Sequence, residues 1–117
     1  MTVRRLKTYT GSQGYVYQYY FVGKRPAAGT GETTEYIFDV TSDRKVTYSV
    51  SILLPGSVLL DWAKTHGRAL GDSEQYAAVK MRLFRAFDEV EDMQADGRQL
   101  PLDAAFLGEA LTSLGVD

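Results

Sequence analysis

The sequence predicts an α+β domain: a three- or four-stranded antiparallel β-meander in the N-terminal half, then three helices packed mainly on one face of the sheet. Two patterns carry that expectation. Aromatic and β-branched residues concentrate and alternate over 15–22, 35–40 and 45–54, as strands do. From Ser57 onward apolar residues recur at spacings of three and four, as amphipathic helices do.

The first strand signal, roughly Arg4 to Thr10, leads into "GSQG" (Gly11 to Gly14), a hairpin turn by composition. "YVYQYYFV" (Tyr15 to Val22) is the second strand. "GKRPAAGTGETT" (Gly23 to Thr34) reads as a mobile twelve-residue loop, with three glycines and a proline. "EYIFDV" (Glu35 to Val40) and "KVTYSVSILL" (Lys45 to Leu54) then form the clearest hairpin. Tyr36, Phe38 and Val40 must face the same side as Val46, Tyr48, Val50 and Ile52, since a one-residue slip sends one set to water. The simplest register sets Phe38 against Tyr48 and Val40 against Val46, leaving a five-residue loop centred on Asp43.

Ser57 is the expected N-cap of a short helix to about Thr65, closed by Gly67. Asp72, with Gln75 three residues on, reads as the capping box of a long helix from Ser73 to about Met93. Its apolar stripe is Tyr76, Val79, Leu83, Phe84, Phe87 and Val90. The acidic run "DEVEDM" (Asp88 to Met93) opposes the helix dipole, so fraying is expected after Val90. A last helix runs from near Pro101 to Leu114, burying Phe106, Leu107, Ala110, Leu111 and Leu114, and ends at Gly115.

Period-two alternation divides the tyrosine-rich strand into two faces. Tyr15, Tyr17, Tyr19 and Phe21 are expected to pack beneath the helices. Val16, Gln18, Tyr20 and Val22 lie opposite, alongside Ile37 and Asp39. With every helix on the first side, Val16, Tyr20, Val22 and Ile37 form an apolar cluster on the second. Such clusters mark interaction surfaces, and a homodimer through that face or through exposed strand edges would cover it.

At 117 residues the chain fits one domain, 1–117, able to bury roughly 65% of its unfolded surface. Hydrophobic and charged fractions of 44% and 24% are those of a soluble globular protein. The absence of cysteine excludes disulfides, thiolate metal sites and a thiol nucleophile. No apolar run follows the N-terminal basic residues, and "SVLL" and "SILLP" are far too short to cross a bilayer, so a cytoplasmic location is expected. Residues 1–50 carry a net charge of +3 and residues 51–117 one of −5.

Candidate chemistry is sparse. His66, the sole histidine, belongs in a last helical turn as a C-capping or surface residue. The acidic run lacks EF-hand spacing, and "GTGE" (Gly29 to Glu32) lacks the strand-before, helix-after setting of a phosphate loop. Trp62 reads as a packing anchor. No catalytic residue, metal site or cofactor is assigned, and a non-enzymatic role is favoured over an enzymatic one.

Three functional expectations follow. The first is a non-enzymatic interaction or accessory protein that self-associates through the sheet. The second is a small-molecule-binding or weakly enzymatic domain, with a pocket between the tyrosine strand and the long helix. Its polar contacts would be Tyr15, Tyr17, Tyr19, Tyr48, Gln18 and Arg85. The third is nucleic-acid binding. "QGYVYQYY" (Gln13 to Tyr20) resembles the aromatic signature of RNA-recognition-motif domains, matching at Gly14, Tyr15, Tyr17 and Tyr20. It departs at Gln13, Val16 and Gln18, and only twelve residues precede it, where that family places a strand, a helix and a further strand. On that resemblance Arg4, Arg5, Lys7, Lys24 and Arg25 would be the phosphate contacts.

Overall fold

The computed structural model describes residues 6–27 and 32–116. Its strands are β1 (Lys7–Thr10), β2 (Val16–Pro26), β3 (Thr33–Thr41), β4 (Tyr48–Pro55) and β5 (Gln99–Pro101). Its helices are α1 (Gly56–His66), α2 (Asp72–Glu89), α3 (Met93–Asp96) and α4 (Ala104–Ser113). The strands form one sheet in the order β1-β2-β3-β4-β5; the first four are antiparallel neighbours and β5 joins β4 in parallel. The α+β class, the antiparallel meander and the helical layer on one face are as the sequence predicts. The fifth strand and fourth helix are additions. Among the described residues, no helix is long and apolar enough to cross a membrane.

One face of the sheet carries the core. Tyr17 and Tyr19, then Tyr36, Phe38 and Val40, then Tyr48, Val50, Ile52 and Leu54 are buried in a single cluster with Trp62, Val79, Leu83, Phe87, Phe106, Leu107 and Leu111. Aromatic rings fill the space between β2 and α2. Tyr17 stacks on Phe87 at 4.2 Å, Tyr9 stacks on Phe84 at 4.5 Å, and Tyr19 meets Phe38 and Phe84 edge-on. Each such pair adds about 0.5–1.5 kcal/mol beyond its area burial. The β1–β2 turn is tied to the end of α2 by Asp88, which accepts from the Tyr9 hydroxyl and from Ser12 N. The backbones meet so closely there that a Cβ on Gly11 would sit 2.5 Å from the Phe87 carbonyl oxygen.

Tyr15 departs from its expected place in the core. It precedes β2, beside Gly14 at φ +91°, and is 46% exposed because the turn, not the strand, sets its direction. The expected loop Gly23–Thr34 is shorter at both ends: β2 continues to Pro26 and β3 begins at Thr33. A bulge between Phe21 and Gly23 absorbs the glycine without ending the pairing, and Arg25 faces Glu35 beyond it. Residues 28–31 of that loop lie outside the described residues, as do Arg4 and Arg5 of the first expected strand.

The β3–β4 register has the expected parity but is displaced by two residues: Phe38 faces Val50, and Val40 faces Tyr48. Asp43 accounts for the shift. Its carboxylate accepts from Lys45 N and Val46 N, while Thr41 Oγ1 accepts from Arg44 N, so these amides serve the loop rather than the ladder. Val46 is left exposed, and Arg44 takes a left-handed conformation at φ +64°.

The helix starts also differ from expectation. Gly56 donates its N–H to Glu32 O, and α1 begins there on an extended Pro55, which leaves Ser57 inside the first turn rather than capping it. Gly67, left-handed at φ +74°, closes α1 as expected. The N-cap of α2 is Gly71, not Asp72, and Glu74 rather than Gln75 reaches back to accept from its N–H. Arg68 holds Glu74 in place, while Gln75 donates to Leu70 O. Helix α2 stops at Glu89, and Asp92 caps the short α3.

Pro101 lies in β5 rather than in a first helical turn; Leu100 beside it is buried against Ile52. Proline is tolerated in an edge strand because no partner needs its missing N–H. Asp103 caps α4 instead, accepting from Phe106 N at 2.8 Å. Leu114 is exposed, and Val116 packs on the core in its stead.

Candidate functional site

The face of the sheet away from the helices is the candidate site. Register places its side chains in rows. Gln18 of β2 pairs with Thr8 of β1 and Thr41 of β3. Next, Tyr20, Asp39 and Ser49 stand side by side, followed by Gly23, Ile37, Ser51 and Gln99. Arg25, Glu35, Leu53 and Pro101 form the last row. Val16, at the start of β2, is 48% exposed, and Val22, inside the bulge, is 37% exposed.

Both carboxylates on this face have cross-strand partners. The Tyr20 hydroxyl donates to Asp39 Oδ2 at 2.7 Å, and the Ser49 hydroxyl lies 3.5 Å from Asp39 Oδ1. Ser51 donates to Glu35 Oε2 at 2.6 Å, and Arg25 Nε donates to Oε1 at 2.9 Å. The Ser51 hydrogen bond, then Arg25, hold the Glu35 carboxyl below the usual carboxylate range. Its side chain is only 14% exposed, although no helix covers it. Among the described residues, no buried side-chain nitrogen or oxygen lacks a partner.

Ile37 stands at the centre. It lies midway along the middle strand of five, with Gly23 on one side and Ser51 on the other. Its cross-strand neighbours are two of the smallest residues, and its own side chain is half-buried. The expected interface residues Val16, Tyr20, Val22 and Ile37 all belong to β2 and β3, with Tyr20 and Ile37 half-buried.

The expected ligand contacts are dispersed. Tyr17, Tyr19 and Tyr48 point into the core, Tyr15 is at the turn, and Gln18 lies on the opposite face. Arg85 is on the outer surface of α2, paired with Glu109 of α4. Burial raises the Tyr17 and Tyr19 hydroxyls and pushes Tyr48 up to about 12, so all three are neutral near pH 7 and unsuited to act as bases. His66 stacks on Trp62 at 4.0 Å, with its Nδ1 2.9 Å from the Trp62 carbonyl oxygen. Among the described residues, no three His, Cys, Asp or Glu side chains converge as metal ligands.

Sequence reasoning missed the paired carboxylates. The alternation Glu35–Ile37–Asp39 was the available signal: an exposed strand face that places two acids beside an isoleucine needs partners on both neighbouring strands. The fold therefore defines a two-layer α+β protein in which, among the described residues, the helices pack on one sheet face. No family model, curated protein or solved structure matches the chain.

Proposed function

We propose that this protein is a non-catalytic interaction domain that forms a homodimer by stacking its open sheet face on that of a second copy. The observation that carries the reading is Ile37, an apolar side chain on the central strand between the small residues Gly23 of β2 and Ser51 of β4. Across a two-fold axis, each Ile37 would pack over the small residues of the other copy.

Electrostatics favours a second copy over a highly charged partner. The rows contain one cation, Arg25, and two carboxylates, Glu35 and Asp39, and each acid is bonded within its own sheet. Covering the two acids leaves these bonds intact, whereas burying an unpaired polar group is costly. The whole chain carries a net charge of only −2, so two copies repel weakly.

Light scattering after gel filtration over a wide concentration range tests the proposal. A mass near twice the 13.0 kDa chain at the higher concentrations is expected. A single-chain mass throughout would remove it.

A further inference from the structure

A second surface, independent of the sheet, lies between α2 and α4. It is a groove of two lobes, about 360 and 410 Å³, that share Arg85, Phe106 and Glu109 at the waist. Those volumes fall in the range of small-ligand clefts. The first lobe adds Arg82, Glu89 and Asp103; the second adds Met81, Phe84 and Ala110. One end is thus charged, and the other sets Met81, Phe84 and Ala110 beside Asp88 and Ser113.

Several of the charges already have fixed roles. Asp103 caps α4 through Phe106 N, and Asp88, on the rim of the second lobe, is bound to Tyr9 and Ser12. Arg82 is anchored by donation from Nε to Pro101 O at 2.9 Å. Burial, and after it Arg85, draw the Arg82 guanidinium below its usual range, with Glu89 and Asp103 opposing them.

The waist is different. Arg85 lies over the Phe106 ring, 4.6 Å from its centroid, and bonds to Glu109 at 3.3 Å. Their side chains are 44% and 66% exposed, and exposed pairs of this kind contribute little and exchange readily. A simple anion engages Arg85 alone, and a simple cation engages Glu109 alone. A dipolar ligand engages both at once.

The geometry points to a binding site for a zwitterionic α-amino acid with an apolar side chain. Its carboxylate would replace Glu109 on Arg85, its ammonium would take Glu109, and its side chain would lie on Met81, Phe84 and Phe106. Arg82 supplies a second guanidinium to the carboxylate end.

The test titrates L-phenylalanine at millimolar concentration into the intact protein, followed by NMR shifts of α2 and α4 amides and by melting temperature. N-acetylphenylalanine and phenylalaninamide, each lacking one charge, serve as controls. Saturable shifts and a raised melting temperature with phenylalanine are expected, with at least about tenfold weaker binding of either control. Arg85→Gln and Glu109→Gln should each weaken phenylalanine binding about tenfold while the unliganded melting temperature stays near that of the parent. Absence of saturable shifts with phenylalanine, a control binding equally well, or unchanged affinity in both variants would each overturn the assignment.

Discussion

The two faces of the sheet solve the same problem in opposite ways. Beneath the helices, β2 and β3 present rings that stack on one another and on Phe84 and Phe87, and side-chain volume fills the space. On the other side the same strands present acids, hydroxyls and an arginine that satisfy one another in the plane, with aliphatic residues between them. The first arrangement gives stability through close packing, which tolerates little change. The second has its two carboxylates already bonded within the sheet, so covering them costs less than covering bare acids. A surface built that way is suited to reversible association.

The comparison can be broken most severely from the covered side. Phe87 is fully buried and touches the rings of Tyr9, Tyr17 and Tyr19. Phe87→Ala is expected to cost about 3–5 kcal/mol, read from urea unfolding followed by the emission of Trp62, the only tryptophan. A cost near that of a surface substitution would mean the rings do not carry the core.

Gly11→Ala comes next. The new methyl meets a backbone oxygen of α2, which cannot move aside as a flexible side chain would. We expect a loss of about 1–3 kcal/mol, and an unchanged melting temperature would show that the turn is not seated on α2.

Acid titration sharpens the contrast. Glu35 is held low by Ser51 and Arg25, Asp43 by the amides of Val46 and Lys45, and Glu74 is brought to about 2 by Arg68 and Gly71 N. A carboxyl lowered in the folded state contributes stability that is complete above its unfolded value. That contribution is lost as pH falls through the folded value. Stability should therefore decline from about pH 4.5 towards pH 2, and Glu74→Gln should flatten that decline. An identical acid limb in the variant would contradict the assignment.

The smallest effect is expected at Arg44. Its left-handed backbone is costly for a long side chain and mild for asparagine. Arg44→Asn should gain about 0.5 kcal/mol in chemical denaturation.

How far the sequence reveals this molecule depends on the range of the interaction. Alternation is local, so the inward face of β2, β3 and β4 was legible, including Tyr17, Tyr19 and Phe38. Parity does not fix the pairing partner, and the register of β4 depended on Asp43 drawing three residues beyond it into the loop. The three-residue β5 has too few positions to show a period. Its place against β4 depends on contacts across about fifty residues of chain, such as Ser51 N donating to Arg98 O. Apolar residues of the candidate interface were legible from parity alone. The hydrogen bonds around them were not, because Ser51 and Glu35 meet only once the register is set. The Arg85–Glu109 waist was hidden for the same reason, since α4 has no sequence signal that places it on α2.

Sedimentation velocity on the parent protein and on Ile37→Lys, at matched concentration and with melting temperatures measured alongside, tests the division of labour between the two faces most directly. The account predicts that the parent sediments as a dimer and the variant as a monomer, with the variant's melting temperature held near that of the dissociated parent. A variant that sediments like the parent would contradict it.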